Sequence, residues 1–514
     1  MAARRRRTPS PFIALAALSA VSASASDGRG GPPLSLTGLS ACEEPTEPTS
    51  VTLEGPLVLT TPQSFSGLER LTVRGVTFSG IEGAALTVRD VGEVIIEGCL
   101  FQGIVGAGGG QAAIAGRGNG SVTLRDVTVE DVVGHGVKFP DTSADDAAAR
   151  TGSLVLTGVT VRRVRRVGGV EGSANAIEIA GADDLTLTGA TVEDVDDWGL
   201  KLGREASNVG QRLGEGGAVR IEGSDIHGVG ADGILVTDGV YNVSIVGNRI
   251  WDIATDHVGA RPHDGDHGIY YQANAHGLIE GNHIWNVLDY DDGDLSAPTG
   301  VGISYRSGEL RIVANEIHDV ARNGIAYYSD HVGSGTVTVE SNLVYRTGRG
   351  GIYLAGAQGA GANPLRQEVD RHEIFANTVY MTATGAPWSN LAPLGWYTLS
   401  EPCEIDVAGN LLALDNGDAD PAHALLDGAS APTTAVPFND WPGQEGGVTL
   451  TQNLAPPFDA PVAQVFVDAP GGDLRLAALS PAIGFAPTLD GVVLTDARGA
   501  ARTPPTDAGA LEAP

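Results

Sequence analysis

The sequence predicts an all-β chain folded as a single-stranded parallel β-helix of about 12–13 rungs with an irregular C-terminal cap. Three observations predict this fold. Short apolar strands recur in sets of about three, an asparagine recurs at one turn of successive repeats, and glycine precedes the last strand of most repeats. No stretch has the 3.6-residue periodicity of an amphipathic helix, which excludes helical and leucine-rich repeats.

The clearest repeat is Asn242–Tyr271, NVSIVGNRIWDIATDHVGARPHDGDHGIYY. An alternating strand (VSIV) is followed by a turn at Gly247 and Asn248, a second strand (RIWDI), a loop and a third strand (GIYY). The same order recurs as GLIEGNHIWNV…GVGISY and as LRIVANEIHDV…NGIAYY. Each repeat is therefore expected to form one rung of three short strands, with loops of varying length.

One column can be followed along the turns of thirteen repeats: Val76, Cys99, Val127, Val159, Ala190, Ser224, Asn248, Asn282, Asn315, Asn342, Asn377, Asn410 and Asn453. Asparagine is expected there for two reasons. It tolerates the left-handed backbone of a tight turn, and stacked side-chain amides can bond to the copies above and below. The sequence therefore predicts an asparagine ladder along the helix.

The repeats resemble those of right-handed parallel β-helix proteins of the pectin-lyase-like superfamily, over about residues 55–455. The segments that carry the resemblance are GN-x-I and HGIYY, NGIAYY and GGIYL, together with a C-terminal stretch similar to the tail that closes many secreted β-helix proteins. The resemblance implies a right-handed helix. It leaves the activity open, because this superfamily contains lyases, hydrolases, epimerases and non-catalytic surface proteins.

The N-terminus predicts an exported protein. Arg4–Arg7 form a basic segment, Pro11–Val21 forms an apolar one, and LSAC at Leu39–Cys42 resembles a lipoprotein box in which Cys42 would be lipidated. The chain then divides into an export and low-complexity segment (1–41), an acidic Pro/Thr tether (42–50), the β-helix (51–455) and a C-terminal cap (456–514). We expect an outer-membrane lipoprotein, a cell-surface protein or an extracellular protein.

The formal net charge of −31 over 514 residues excludes nucleic acid as a natural partner, and it leaves a lipid anchor as the expected route to a membrane. A monomer that contacts a polysaccharide or other glycan is the expected state. The chain has two lysines, Lys138 and Lys201. Period-2 alternation places both on one outward column of the third strands, on either side of Glu178.

That outward column predicts a substrate groove. The candidate catalytic residues are Tyr270, His267 and Lys201 as bases, with Arg306 to neutralise a sugar carboxylate. The candidate substrate-binding residues are Tyr328, Tyr353 and Gln272 on the same strands and Trp251 and Trp285 on a second outward stripe that continues through His318, Tyr345 and Tyr380. The alternatives are a surface ladder of mutually neutralised charges and aromatic side chains that stack to cover a sheet.

Two long, acidic loops are expected to be adjacent in the stack, and they predict a metal site. Its candidate ligands are His263, Asp264, Asp266, Asp289, Asp291, Asp292 and Asp294. Clustered carboxylates with a glycine turn suit Ca²⁺, and the histidines admit Zn²⁺ or another transition ion. The alternative is a pair of solvated acidic loops.

Two functions follow from these residues. The first is a polysaccharide lyase or related glycan-active enzyme that uses a Tyr, His or Lys base with an arginine or a divalent cation. The second is a non-catalytic, lipoprotein-type surface β-helix that binds glycan or is purely structural. No motif in the sequence decides between them, and contact with glycan is common to both.

Overall fold

The protein is described by a computed structural model. The residues described are 49–106, 110–140, 150–168, 173–203, 213–214, 217–237, 239–254, 266–272, 275–288, 300–306, 308–328, 335–355, 370–382, 392–397, 404–415, 425–427, 448–451, 453, 461–486, 489 and 493–513. They form a solenoid in which a typical rung contributes one strand to each of three faces. Pairing along every face of the solenoid is parallel, and this confirms the predicted parallel β-helix.

Face 1 holds the first strand of each rung: β1 Ser50–Leu59, β3 Arg70–Ser79, β5 Glu93–Glu97, β8 Ser121–Arg125, β11 Thr151–Thr157, β14 Ala182–Thr188, β17 Val219–Glu222, β20 Tyr241–Val246, β23 Ala275–Glu280, β26 Leu310–Val313, β29 Thr336–Glu340, β32 Arg371–Phe375, β35 Glu404–Ala408 and β38 Val448–Thr451. Face 2 follows the asparagine turn: β6 Leu100–Val105, β9 Thr128–Val133, β12 Thr160–Arg165, β15 Thr191–Val195, β18 Asp225–Val229, β21 Arg249–Ile253, β24 His283–Val287, β27 Glu316–Val320, β30 Leu343–Thr347, β33 Thr378–Thr382 and β36 Leu411–Asp415. The long strand β3 pairs with both β5 and β6, which joins faces 1 and 2 into one sheet.

Face 3 is a separate sheet of 13 strands. It contains β2 Gln63–Ser66, β4 Leu86–Arg89, β7 Ala112–Arg117, β10 His135–Phe139, β13 Ile177–Ile179, β16 Leu200–Leu202, β19 Ile234–Val236, β22 His267–Tyr271, β25 Val301–Tyr305, β28 Asn323–Tyr328, β31 Gly350–Ala355, β34 Ala392–Tyr397 and β37 Leu425–Asp427. The three faces enclose one apolar core. On face 3 the core-facing column is fully buried: Leu86, Ile114, Val137, Ile177, Leu200, Ile234, Ile269, Ile303, Ile325 and Ile352.

The asparagine ladder runs unbroken from Asn248 to Asn453. In a typical step, Asn315 Oδ1 accepts hydrogen bonds from the backbone N–H and the Nδ2 of Asn282, both at 2.9 Å. Its own Nδ2 donates to the Ile279 carbonyl at 2.9 Å and to Asn342 Oδ1 at 3.0 Å. Because these groups lie in a dry interior, every side-chain amide satisfies backbone groups that would otherwise be unpaired.

One part of the sequence argument for the ladder is wrong. The left-handed residue of each turn is the one before the asparagine. Gly247, Gly281 and Ala314 have φ values of 63°, 62° and 54°, and the asparagines that follow them do not have positive φ. Asparagine is therefore selected at this column for its hydrogen bonds alone.

The C-terminal segment contains α1 Val462–Val465, β39 Phe466–Asp468 and β40 Asp473–Leu476. It packs on the outside of face 2, where Phe466 lies edge-on to Tyr380 with ring centroids 6.1 Å apart. The backbone N–H of Ala510 donates to Thr378 Oγ1 at 2.8 Å. The tail thus covers the flank of the last rungs. None of the described helices is long and apolar enough to cross a membrane.

Candidate functional site

Glycines decide which side chains face outward on face 3. A Cβ on Gly268 would lie 2.5 Å from the Cγ2 of Ile284 in the core and 2.6 Å from the carbonyl oxygen of Gly302. A Cβ on Gly233 would likewise lie 2.7 Å from the carbonyl oxygen of Gly268. The glycine and the residue after it both face the core, which interrupts the alternation. The residue before each glycine is therefore directed outward.

This arrangement pairs His267 with Asp232. His267 Nδ1 lies 2.8 Å from Asp232 Oδ1, and the same oxygen accepts the His267 backbone N–H at 2.9 Å. Trp198 Nε1 donates to the other carboxylate oxygen at 3.1 Å. The side chain of His267 is fully buried and that of Asp232 is 2% exposed. The carboxylate therefore fixes the imidazole so that Nδ1 carries the proton and Nε2 has the free lone pair.

Two features of this dyad suit proton transfer. His267 Nε2 is buried and has no hydrogen-bond partner among the described residues. Burial raises the pKa of the Asp232 carboxyl above its usual value, although the hydrogen bond from His267 acts in the opposite direction. A buried basic nitrogen without a partner is costly in a purely structural role, so it marks a functional-site candidate.

The other predicted catalytic residues adjoin the dyad. Tyr270 stacks on His267 with ring centroids 4.4 Å apart. Arg306 lies over the Tyr270 ring, with Cζ 4.8 Å from the centroid. Lys201 Nζ lies 4.0 Å from the centroid of Trp198. Tyr270, Trp198, Leu235 and Ala231 also form a small apolar cluster outside the main core. All four predicted catalytic side chains are thus in one connected group.

The predicted binding residues divide between two faces. Tyr353 lies on the outward column of face 3, opposite Ala326, with Arg349 Cζ 5.3 Å from its ring centroid. Gln272 is half-buried just after β22, and Tyr328 ends β28 opposite Ala355. Trp251 and Trp285 stack at 4.9 Å on the outer surface of face 2, away from the dyad. The predicted groove and the aromatic stripe are therefore separate surfaces, and the tail buries the far end of the stripe at Tyr345 and Tyr380.

Of the predicted loop ligands, Asp266 is described and 1% exposed, immediately before His267. The remaining predicted ligands His263, Asp264, Asp289, Asp291, Asp292 and Asp294 lie outside the described residues, as does the lipidation candidate Cys42. The loop metal site and the lipid anchor stay predictions.

Sequence reasoning missed Asp232 and Trp198. Counted by simple alternation from Ile234, Asp232 would point into the core. The signal that could have found both residues is their position before the glycines of ADGILV and DWGLKL, which matches the position of His267 in DHGIYY. Aligning the repeats at the position before this glycine would have placed Trp198, Asp232 and His267 in one column.

A second cluster on the same face contains Lys138, Glu178, His135 and Asn175. Glu178 Oε1 lies 3.1 Å from Lys138 Nζ, and Asn175 Nδ2 donates to Glu178 Oε2 at 2.8 Å. Burial acts to raise the pKa of Glu178, but Lys138 and His135 outweigh it, and the net pKa is lowered. The predicted charge ladder is thus present between Lys138 and Glu178, whereas Lys201 lies over Trp198.

Glu178→Gln is expected to destabilise the folded protein by about 1–3 kcal/mol at neutral pH, because it leaves Lys138 and His135 without a carboxylate. Since the folded pKa of Glu178 is lowered, its contribution is present above the unfolded value of about 4.3 and is lost as pH falls below it. The difference in the free energy of unfolding between wild type and variant, measured with urea, should therefore decrease towards zero in acid. Glu93→Gln, which breaks an exposed pair with Arg70, should destabilise the protein far less, because exposed ion pairs contribute little to stability. A difference that widens in acid would contradict this account.

Comparison with known proteins agrees with the architecture. Residues 175–364 match the family model described as a right-handed β-helix region. Together with the parallel pairing on all three faces, this match identifies the fold as a right-handed parallel β-helix. No curated protein matches it.

Three solved structures illustrate the likeness of this β-helix protein to others. Pectate lyase Pel9A is 12% identical, with 91% of this chain and 87% of that chain covered and a TM-score of 0.30. The periplasmic alginate epimerase AlgG is 11% identical, with 80% and 79% covered and a TM-score of 0.32. The A-module of the Azotobacter vinelandii mannuronan C-5 epimerase AlgE6 is 12% identical, with 79% and 91% covered and a TM-score of 0.33. Likeness at this level assigns no residue a role.

Proposed function

We propose that this protein acts on a polysaccharide that contains uronic acid residues, and that its reaction begins by removing the proton on the sugar carbon next to the carboxylate. The observation that carries the proposal is the Asp232–His267 dyad, whose Nε2 is buried, unpartnered among the described residues and adjacent to Tyr270. A carboxylate-oriented imidazole is a suitable general base near neutral pH.

Each neighbouring residue has a role in this proposal. His267 Nε2 takes the proton from C5, and the electron pair left on that carbon is delocalised into the sugar carboxylate. Arg306 and Lys201 stabilise the added negative charge on the carboxylate oxygens. The C4–O4 bond then breaks, its electrons pass to the leaving oxygen, and Tyr270 donates a proton to that oxygen. A lyase would release an unsaturated uronate. If C5 instead regains a proton on its opposite side, the product is an epimer.

Charge distribution supports an acidic substrate at this face despite the net charge of −31. On face 3, Lys138 is paired with Glu178, whereas Lys201, Arg306 and Arg349 lie over aromatic rings. A local group of cations can attract a carboxylate that the rest of the surface repels. The ring of Tyr270 covers His267, so substrate must displace this ring before the sugar reaches Nε2. The predicted export signal fits a polysaccharide outside the cell.

The test uses purified protein and a panel of neutral and uronic polysaccharides, with and without Ca²⁺. Ultraviolet absorbance detects unsaturated products and NMR detects epimers. Tyr270→Phe keeps the stacked ring but removes the hydroxyl, and it should slow the reaction by about 100-fold or more. Arg306→Ala should slow it by about 100- to 1,000-fold. Arg249→Ala is the matched control, because Arg249 lies over Trp251 on face 2 and should leave the rate unchanged.

If no polysaccharide changes while the wild-type protein is retained on a glycan affinity gel, the proposed enzyme is contradicted. The non-catalytic glycan-binding alternative would then be the correct description.

A further inference from the structure

A second group of potential ligands lies on the outer surface of face 2. His283 is opposite Glu316 in the register of β24 and β27, and His318 is two residues further along β27. The two imidazoles approach each other with their Nε2 atoms 2.8 Å apart. One ligand atom from each of the three residues lies within 4.8 Å of the other two. We propose that His283, His318 and Glu316 bind a divalent transition-metal ion of the zinc type.

The protonation of His318 suits a metal ligand. Its Nδ1 lies 2.7 Å from Asp319 Oδ2 and 3.3 Å from Arg346 Nη2. The shorter contact, to the carboxylate, assigns the proton to Nδ1 and leaves the lone pair on Nε2. Arg346 Nη2 in turn holds the same Asp319 oxygen at 2.6 Å. A carboxylate behind a histidine fixes the tautomer and increases the basicity of the ligating nitrogen. His318 therefore has the support that metal-binding histidines usually have.

The environment of His283 and Glu316 is also suitable. The side chains of both residues are half-buried, as is that of His318. Tyr345 donates its hydroxyl hydrogen to Glu316 Oε1 at 2.7 Å, which orients the carboxylate. Without a cation, the close approach of His283 Nε2 and His318 Nε2 requires a proton on one of the two nitrogens.

The spacing of the two imidazoles fits zinc after a small adjustment. Zn–N bonds of about 2.0–2.1 Å in a tetrahedral site hold two nitrogens about 3.3 Å apart. Since the Nε2 atoms are 2.8 Å apart, the rings of His283 and His318 need to separate by about 0.5 Å. Two imidazoles and one carboxylate favour Zn²⁺ and its neighbours over Ca²⁺ or Mg²⁺, which take oxygen ligands.

Two of the three proposed ligands, His283 and Glu316, border a cavity. The cavity, of about 240 Å³, lies between face 2 and the C-terminal segment, and its lining also includes Tyr345 as well as Asp473 and Arg498 of the tail. Three protein ligands with one open position allow a water or a small anion to complete the coordination. This site is on a different face from the Asp232–His267 dyad. It is also distinct from the predicted site in the acidic loops.

The experiment titrates metal-free, full-length protein with Zn²⁺ by calorimetry, and with Co²⁺ by visible absorbance, which reports tetrahedral coordination. One equivalent should bind with the intense visible bands of tetrahedral Co²⁺. His283→Gln and His318→Gln should each weaken binding by at least about 100-fold and abolish those bands. Asp319→Asn should weaken it by about 10- to 100-fold. His227→Gln, which alters a histidine stacked on Trp251 in the same stripe, is the matched control and should bind like wild type.

Circular dichroism and thermal unfolding without metal check that each variant is folded. If Zn²⁺ binding is unchanged in both His283→Gln and His318→Gln, it occurs at other histidines and the proposal is wrong. Absence of tetrahedral Co²⁺ bands in the wild-type protein would equally overturn it. Neither outcome bears on glycan chemistry at face 3, because the dyad shares no residue with this site.

Discussion

Asn315→Ala is expected to lower the free energy of unfolding by about 3–5 kcal/mol. The substitution removes the acceptor of the buried Asn282 backbone N–H and the amide that donates to the Ile279 carbonyl. It also interrupts the amide–amide bonds to Asn282 and Asn342. An unsatisfied buried donor or acceptor costs about 1–3 kcal/mol, and at least two are created here.

Urea unfolding followed by circular dichroism measures the effect, and hydrogen exchange across β26 and β29 locates it, because rungs of a solenoid can open separately. Asn453→Ala is the matched control. Asn453 makes the same bonds to Asn410 and Val407, but it ends the described ladder and is 7% exposed. Its loss removes one bond fewer, at a position closer to water, and should cost less. If Asn315→Ala costs less than about 1 kcal/mol, the buried hydrogen bonds of the ladder do not hold the rungs together.

The second large effect is expected from Asp232→Asn, which should slow catalysis by about 1,000-fold or more. It should also lower the free energy of unfolding by about 1–3 kcal/mol, because the amide nitrogen cannot accept a hydrogen bond where a carboxylate oxygen does. An asparagine whose Nδ2 faces His267 donates to Nδ1, which leaves the proton on Nε2 and removes the free lone pair. The backbone N–H of His267, which shares that acceptor in the wild type, then loses its partner. Asparagine has nearly the same shape as aspartate, so a loss of rate in the folded variant is attributed to the changed tautomer of His267.

Two readouts separate this role from a structural one. Nitrogen NMR of labelled histidine should show the His267 tautomer exchanged in the variant. The rate of the wild type should fall in acid as Asp232 is protonated, at a pH above the usual aspartate value, because burial raises the pKa of this carboxyl. Asp225→Asn, at an aspartate paired with Arg249 on face 2, is the control and should have the wild-type rate. A wild-type rate in Asp232→Asn would remove the dyad from the mechanism.

The sequence predicted the β-helix, its ladder and the register of the outward column, because these depend on repeats that stack one rung at a time. Lys138 lies opposite Glu178 and Glu178 opposite Lys201 as expected. The pairing of Asp232 with His267 was not predicted, because Gly233 and Gly268, next to the core-facing isoleucines of β19 and β22, interrupt the alternation on which face assignment depends.

Two further features of the structure could not be predicted by following one column of equivalent repeat positions at a time. His283, Glu316 and His318 come from two neighbouring columns of face 2 and meet diagonally across rungs. The tail has no repeat, so its position over Tyr345 and Tyr380 depends on the shape of its apolar side chains against face 2. Tertiary packing of this kind leaves little periodic signal in a sequence.

The most direct test of the proposed chemistry is proton exchange at the reacting carbon. Uronic polysaccharides are incubated in D₂O with wild-type protein or His267→Gln, recovered, and analysed by NMR and mass spectrometry. Wild type should produce epimers that carry deuterium at C5 or unsaturated products that have lost the C5 proton, and His267→Gln should produce neither. Substrates recovered without deuterium and without elimination after incubation with folded, glycan-binding wild type would contradict the account.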